Sequence, residues 1–237
     1  MSFQQVGKRY RARSALSDIT FCVAAGESVA IAGVNGAGKT TLLRCLLDFA
    51  RADAGSIRVF GVDSRLPQAR RHLAFLPERF LPPAHLSGHE VLQWLAGLHG
   101  QRWCRDRSAA VFENFALPAD ALDRTIRQYS KGMTQKLGLA AALSSSKRLL
   151  VLDEPMSGLD PQARQFVTRS LLTAREAGAG LLITSHNLTD VARLCSRLAL
   201  VHDGELRFLG RPEELIEQHR APDLEAAFLA RIATPLH

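Results

Sequence analysis

The sequence has few cysteines and no long hydrophobic run. None of the four cysteines, Cys22, Cys45, Cys104 and Cys195, belongs to a CxxC pair, which argues against a zinc site and against a disulfide framework. We expect all four to be buried, reduced thiols. No apolar run approaches the roughly 18 residues that span a bilayer, and the first residues lack the pattern of a signal peptide. We therefore expect a cytoplasmic chain that cannot form a pore by itself.

Internal repeats, low-complexity tracts and flexible linkers are also missing. What the chain does have is a large apolar fraction, 46% of 237 residues, which is ample for a buried core. Its formal charge of +7 suits a protein that works near anionic lipid, nucleic acid or nucleotide phosphates. A basic, solvated surface with no such partner explains the same charge.

Strand and helix patterns alternate along most of the chain. Apolar alternation at residues 19–23 and an apolar run at 28–32 predict two strands joined by a turn. Helical spacing then begins at Lys39 and stops near Asp48, and a further short strand is predicted at residues 55–59. This order is strand, loop, helix.

The second half alternates in the same way. Runs that are apolar at every position, residues 149–152 and 180–184, predict parallel strands covered on both faces. Helices are predicted at residues 161–177 and 188–195, two strands at 198–201 and 205–209, and further helices from Pro212 and from Asp223. Between about residues 79 and 146 the periods are helical and no strand is predicted.

A glycine-rich segment lies between the apolar run at 28–32 and the helix that follows. Its residues 33–40 fit the pattern GxxxxGK[ST]. Glycines let successive N–H groups turn inward around phosphate, the helix start adds partial positive charge, and Lys39 would reach the β and γ phosphates. An ordinary glycine-rich turn is the alternative. The predicted nucleotide contacts are Gly33, Asn35, Gly36, Ala37, Gly38, Lys39, Thr40 and Thr41, and Thr40 would also ligate magnesium.

Two carboxylates end the apolar run at residues 149–152. Asp153 would hold magnesium, directly or through water, and Glu154 would orient and deprotonate the attacking water. Acids often end strands for structural reasons, so this pair alone is a weak signal. Because ligands bind at the carboxyl ends of parallel strands, its combination with a phosphate loop is a strong one.

With these motifs in place, the chain resembles the nucleotide-binding subunits of ABC transporters over nearly all its length. Residues 129–133, Tyr-Ser-Lys-Gly-Met, stand where that family has its LSGGQ signature, and residues 157–160, Ser-Gly-Leu-Asp, match its D-loop. His186 matches the switch histidine and Tyr10 the aromatic residue that stacks on adenine. Taken singly, Tyr10 could be an ordinary strand aromatic, and His186 and Ser130 could be helix caps.

The resemblance implies roles for these residues. His186 would hold the γ phosphate and water in line, so that Glu154, His186 and Lys39 would be the catalytic residues. The signature of one subunit would close on the nucleotide of another, which predicts contacts from Ser130, Lys131, Gly132, Met133 and Asp160. The fold implied is α/β: a P-loop NTPase core, which is a RecA-like mixed sheet flanked by helices, with an antiparallel β subdomain and an inserted helical subdomain.

Two positions depart from the common family pattern. Glu78 replaces the glutamine of the Q-loop, and Lys131 replaces one of two adjacent glycines in the signature. An ionised Glu78 can accept from a magnesium-bound water but cannot donate to phosphate. Both replacements, and the tail at residues 223–229, are similar to the exporter branch of bacterial ABC ATPases, which often reads YLPE and YSKGM.

The resemblance also implies partners and boundaries. ATP and Mg²⁺ would bind, and the partners would be an integral-membrane permease and a second ATPase subunit, identical or not, with room for an accessory protein and no specific nucleic acid. The chain would lie on the inner face of the cell membrane. We divide it into a nucleotide-binding core (1–78 and 147–220), a helical signature subdomain (79–146) and a C-terminal helix and tail (221–237).

Three other functions compete with this interpretation. A non-transport ABC ATPase acting on nucleic acid or ribosomes would suit the basic charge, but such proteins usually carry two ATPase halves, coiled coils or zinc insertions. A different kind of P-loop enzyme, a kinase or a GTPase, is the second alternative, and a GTPase would need an NKxD segment, which the sequence lacks. A nucleotide sensor without turnover would not need both Asp153 and Glu154.

Overall fold

The computed structural model describes residues 1–11 and 13–233. The predicted tail therefore falls partly outside the described residues, at 234–237. The strands of the structure are β1 Ser2–Tyr10, β2 Arg13–Cys22, β3 Ser28–Ala32, β4 Ala54–Val59, β5 Val62–Asp63, β6 Leu73–Leu76, β7 Leu149–Asp153, β8 Gly180–Ser185, β9 Arg197–His202 and β10 Glu205–Gly210. Its helices are α1 Lys39–Leu46, α2 Gly88–Leu98, α3 Arg105–Asn114, α4 Lys131–Ser144, α5 Pro161–Glu176, α6 Leu188–Leu194, α7 Pro212–His219 and α8 Leu224–Ala233.

The strands form two sheets. The larger sheet has the order β10-β9-β3-β8-β7-β6, in which only β10 runs antiparallel to its neighbour. The smaller sheet, β2-β1-β4-β5, is entirely antiparallel. Helices α2, α3 and α4 lie between β6 and β7 in the chain, and no strand interrupts residues 79–146 apart from one isolated bridge between Ser87 and Thr125. The predicted fold class is confirmed.

The large sheet separates two hydrophobic clusters. Every residue of β3 is buried, and its side chains alternate between them: Ala30 and Ala32 belong to the cluster under the helices, whereas Val29 and Ile31 belong to the cluster with α1 and the small sheet. Strands β7 and β8 are likewise buried at every position. Burial on both faces explains why these strands are apolar apart from Ser28 at the start of β3, Asp153 at the end of β7, and Thr184 and Ser185 at the end of β8.

Three strands were not predicted from the sequence: β1, β6 and the two-residue strand β5. Strand β1 pairs with both β2 and β4, and β6 pairs in parallel with β7. The strand β6 is four residues long, which is too short for a periodicity to stand out.

Four helices of the site region begin at a recognisable cap. Ser87 and Glu90 form a capping box at α2, and the side chains of Ser130, Asp160 and Asn187 accept N–H bonds at the starts of α4, α5 and α6. These caps satisfy donors that have no partner within the helix. Among the described residues, no helix combines the length and the apolar composition needed to cross a bilayer.

The expectation that all four cysteines are buried is wrong for two of them. All are free thiols, but Cys22 and Cys104 are exposed, whereas Cys45 and Cys195 are buried. Cys22 ends an edge strand of the small sheet and Cys104 precedes α3. Burial raises the pKa of Cys45, and it raises the pKa of Cys195 to about 12.

Thiol labelling should follow this division. We expect an alkylating reagent to modify Cys22 and Cys104 in the native protein, because the thiolate is the reactive form and needs access to solvent. Cys45 and Cys195 should react only after unfolding. Mass spectrometry of labelled peptides checks this, and labelling of Cys195 in the native protein would contradict it.

Two helical glycines provide a matched stability test. A Cβ added at Gly97 in α2 meets nothing within 4 Å, whereas one added at Gly138 in α4 lies 2.6 Å from Cδ1 of Leu76 and 2.8 Å from the ring of Phe80. We expect Gly97→Ala to raise the free energy of unfolding by about 0.5–1 kcal/mol through helix propensity. Gly138→Ala should lower it, because overpacking costs roughly 1–3 kcal/mol. Denaturant midpoints measure both, and equal shifts would contradict the close packing of α4.

Candidate nucleotide site

The glycine-rich loop joins β3 to α1 at the carboxyl edge of the large sheet. Gly33 is packed so closely that an added Cβ would lie 2.2 Å from the carbonyl oxygen of Val201. Gly38 has φ +114°, and its added Cβ would lie 2.7 Å from the carbonyl oxygen of Ala15. Only glycine fits this combination of left-handed φ and close approach.

The first turn of α1 is arranged for an anion. Its N-cap, Gly38, supplies no side-chain hydrogen bond, and the first turn contains no acidic residue. The free N–H groups and the positive end of the helix dipole therefore face the loop. Such an end binds phosphate.

Lys39 lies within this loop and is 9% exposed. Its Nζ donates to the carbonyl oxygens of Gly33, at 2.6 Å, and of Val34, at 3.2 Å. Burial lowers its pKa below the ordinary value for lysine, and the carboxylates of Glu154 and Asp153 oppose that change. The ammonium is therefore part of the loop's own hydrogen bonding.

Strand β7 delivers Asp153 to the same edge. Its Oδ1 accepts a bond of 2.5 Å from the hydroxyl of Thr184, its neighbour across the sheet in β8. Burial raises the pKa of Asp153, the bond from Thr184 lowers it, and the nearby Glu78 raises it. Only Oδ1 is used by Thr184, so Oδ2 is available to a cation.

Glu154 follows with φ +47°, in the left-handed region. Its N–H donates to both the carbonyl and the hydroxyl oxygen of Thr184, at 3.2 and 3.0 Å. A non-glycine residue held in this conformation is uncommon and clusters at functional sites. The turn takes the chain out of the strand direction and brings Glu154 to the mouth of the loop.

His186 lies beside this acid. Its Nδ1 is 2.9 Å from Oε1 of Glu154, a distance at which a ring N–H donates to a carboxylate. Burial raises the pKa of Glu154, whereas the bond from His186 lowers it. The interpretation of His186 as a helix cap is wrong, because Asn187 caps α6.

These groups line one cavity of about 650 Å³. Thirteen of the predicted site residues line it, and they come from β1, the loop, α1, the segment after β6, and the ends of β7 and β8. They are Tyr10, Gly33, Asn35, Gly36, Ala37, Gly38, Lys39, Thr40, Thr41, Glu78, Asp153, Glu154 and His186. Tyr10 is the last residue of β1 and is 44% exposed, with its ring 5.3 Å from Nζ of Lys8.

The other five predicted residues do not line the cavity: Ser130, Lys131, Gly132, Met133 and Asp160. Ser130 caps α4 by accepting from the N–H of Met133, so its interpretation as a helix cap is confirmed. Asp160 caps α5 and lies 3.3 Å from Nζ of Lys136. A chain by itself therefore does not bring its signature to its own phosphate loop.

Several lining residues were missed by sequence reasoning. Arg13 pairs with Tyr10 between β1 and β2, so a prediction of that pairing, together with the predicted role of Tyr10, would have pointed to Arg13. Phe228, from α8, had no signal in the sequence that linked it to the site. The remaining missed residues are Ala15, Ala32, Val34, Ser185 and Leu188.

Oxygen ligands in the cavity suit magnesium. The hydroxyl of Thr40 and the carboxylates of Asp153 and Glu78 line the cavity together. Hard oxygen donors in small number, with phosphates and waters completing the shell, are what this ion takes in nucleotide sites. The residues present therefore fit it.

Known proteins are similar to this chain in sequence. Residues 16–157 match the family model described as ABC transporter. Nod factor export ATP-binding protein I of Burkholderia thailandensis is 36% identical over 227 residues, which cover 94% of this chain and 75% of that protein. An uncharacterized ABC transporter ATP-binding protein of Synechocystis is 36% identical over 204 residues, 85% of this chain and 58% of that protein.

Solved structures agree. An ATP-binding subunit of an ABC transporter superposes with a TM-score of 0.88 at 27% identity, over 97% of this chain and 98% of that one. A dimeric ATP-binding cassette bound to ADP and Pi has a TM-score of 0.80 at 18% identity, over 89% of this chain and 97% of that one, which shows the fold alone. The relatives do not favour a nucleic-acid or ribosome factor. The chain belongs to the ABC transporter family, as one of its ATP-binding and ATP-hydrolysing subunits.

Proposed function

We propose that this chain hydrolyses ATP to drive export through an integral-membrane permease, as one of two ATPase subunits on the inner face of the membrane. One observation carries the chemistry: Lys39, Asp153, Glu154 and His186 line a single cavity. The similarity to Nod factor export ATP-binding proteins supports the direction of transport. The cargo would be chosen by the permease.

The cavity suggests a role for each group. Tyr10 stacks on adenine, and the amides of residues 33–41 with the ammonium of Lys39 hold the phosphates. Thr40, Asp153 and Glu78 would hold magnesium, which would neutralise charge on the phosphates when bound. ATP would exchange some of the carbonyl bonds of Lys39 for bonds to phosphate.

Hydrolysis would depend on Glu154 and His186. Glu154 accepts a proton from the attacking water and orients it towards the γ phosphate, which needs an ionised carboxylate. The bond from His186 favours that ionised form against the effect of burial. His186 also reaches solvent, with 67% of its side chain exposed, so it can touch the γ phosphate.

A second subunit would complete the site. Its Ser130, Lys131, Gly132 and Met133 lie at the exposed start of α4, outside their own cavity. They would close on the γ phosphate from the opposite side, with Asp160 nearby. Because phosphoryl transfer depends mostly on positioning and charge stabilisation, an isolated subunit should bind ATP and turn over slowly.

His186→Ala should reduce turnover by about 10²-fold while leaving ATP affinity nearly unchanged, since it removes a contact needed mainly in the transition state. Steady-state phosphate release and equilibrium nucleotide binding measure the two effects. His99→Ala is a control, because His99 ends α2 and lies outside the cavity lining. Retention of most activity by His186→Ala would contradict the role.

The membrane partner would bind at the segment that joins Glu78 to α2. Leu81, in this joint, is 77% exposed. Nucleotide state would reach the permease there as a rigid-body rotation of the helical subdomain.

Co-purification from membranes tests the proposal. We expect an integral-membrane protein to accompany the chain, magnesium-dependent phosphate release from the complex, and crosslinks from Leu81→Cys to the permease that change when ATP is added. A complex that neither retains nucleotide nor releases phosphate would refute the proposed ATP hydrolysis. A crosslink pattern indifferent to nucleotide would refute coupling at Leu81.

A further inference from the structure

The C-terminal helix α8 contributes to the nucleotide cavity. Among the described residues that line it, Phe228 comes from this helix and every other one lies at or before residue 188. Phe228 is 8% exposed, so its ring forms part of the wall and is packed from behind. Nothing in the motifs of the nucleotide site requires an aromatic residue from this distance along the chain.

Phe228 lines the cavity together with residues from the end of β8 and the start of α6. Ser185, His186 and Leu188 line the same cavity. Phe228 and Leu224 of α8 share one hydrophobic cluster with Val191 and Leu194 of α6. Leu188, at the start of α6, packs against that cluster, and α8 contacts α6 directly.

The imidazole of His186 is bonded to Glu154, and the backbone that carries it is fixed by its neighbours. It lies in a short link between the end of β8 and the start of α6. Ser185 Oγ donates to the carbonyl of Asn187 and accepts from its N–H, and Oδ1 of Asn187 caps α6. The link is therefore rigidly attached to α6. With its side chain 67% exposed, His186 has little packing beyond its bond to Glu154, so the position of its backbone follows that of α6.

Helix α6 contacts both α5 and α8. The buried Asp190 lies 3.3 Å from the guanidinium of Arg164 in α5. Helix α8 contributes Leu224, Ala227 and Phe228, all of them buried. Of these three, Phe228 is the one that lines the cavity, as Leu188 at the start of α6 also does.

We propose that Phe228 is a positioning residue for His186: its ring supports Leu188 and the start of α6, and so keeps the switch histidine at the γ-phosphate end of the cavity. The inference rests on the proposed role of His186. It gives α8 a part in turnover without contact to the reacting atoms. Because a displacement of about 1 Å can cost about 10²-fold in rate, a loss of packing here is sufficient for a measurable effect.

The test uses the full chain co-purified with its membrane partner. Phe228→Ala should lower kcat by about tenfold or more, with the ATP dissociation constant unchanged within a factor of about two, because the phosphate loop and Tyr10 are untouched. Leu229→Ala is the matched control: it is the next residue of the same helix and is 55% exposed, and its turnover should equal that of the unaltered protein.

A double-mutant cycle separates positioning from a general structural effect. If Phe228 acts through His186, Phe228→Ala should cause no further loss of turnover in a His186→Ala background. Losses that multiply would overturn the inference. So would a Phe228→Ala protein with normal kcat, or one in which only ATP affinity falls.

Stability is controlled with a second variant. Phe228→Leu keeps an apolar side chain at the position, so it should lower kcat by less than Phe228→Ala, and its thermal midpoint should lie between those of Phe228→Ala and the unaltered protein. If Phe228→Ala does not fold, the same cycle is read from Phe228→Leu. An unaltered complex that binds ATP without hydrolysing it would refute the proposed function. An active complex in which the losses of turnover from the Phe228 and His186 substitutions multiply would refute this inference alone.

Discussion

Glu154→Gln is expected to lower the rate of ATP hydrolysis by about 10²–10⁴-fold, the usual contribution of a general base, while ATP stays bound. Glutamine has nearly the same shape and can still accept a bond from His186. It cannot take a proton from water. The variant should therefore collect in the nucleotide-bound, closed dimer.

The geometry explains why Glu154, and not Asp153, is the predicted general base. Asp153 is 8% exposed and bonded to Thr184, which suits a carboxylate that holds a cation. Glu154 is turned out of the strand by its left-handed backbone and lies beside His186. Two adjacent carboxylates thus differ in environment, as expected of two roles.

Three measurements check the prediction. Phosphate release gives the rate, equilibrium binding gives the ATP affinity, and size-exclusion chromatography with ATP gives the dimer. Glu113→Gln is the control, since Glu113 is exposed on α3. Near-normal turnover by Glu154→Gln would remove Glu154 as the base.

The parts of the fold that were predicted correctly are those encoded locally. The loop from Gly33 to Lys39 is continuous with its strand and helix, so glycine spacing and apolar patterns were sufficient. The same holds for β7 and β8, which are buried on both faces and apolar up to the polar residues at their carboxyl ends. Their parallel pairing then places Asp153 opposite Thr184 without further information.

The parts that were missed depend on contacts between distant residues. Strand β1 is defined by its pairing with β4, some fifty residues away in the chain, and Phe228 reaches the cavity only because α8 packs on α6. Burial of cysteines also depends on tertiary position: Cys22 lies on an edge strand, whereas Cys195 follows a packed helix. Composition alone treats these thiols as alike.

A mixture of two inactive variants is expected to recover activity. Lys39→Ala removes the phosphate contact of one subunit but leaves its signature intact, and Ser130→Ala does the reverse. Each variant alone should turn over about 10²-fold or more slowly, as for loss of a charge-stabilising group. In a mixed head-to-tail pair, one site combines the intact Lys39 of one subunit with the intact Ser130 of the other.

Because Lys39 and Ser130 are separated within one chain, the mixing experiment tests directly whether a site is shared between two subunits. Lys39 lines the cavity and Ser130 does not, so neither subunit can supply both groups to one nucleotide. Tagged subunits verify that mixed pairs form, and phosphate release is measured before and after mixing. Two differently tagged Lys39→Ala preparations are the control and should stay inactive when mixed.

The result distinguishes two physical arrangements. If each subunit hydrolysed ATP by itself, the mixture would show only the average of the two variants, even where mixed pairs are abundant. An activity above that average requires that phosphate loop and signature come from different chains. A pair of subunits related by a twofold axis contains two equivalent contacts. Each mixed pair therefore holds one complete site and one site that lacks both groups. Its activity also shows whether a single site can turn over alone.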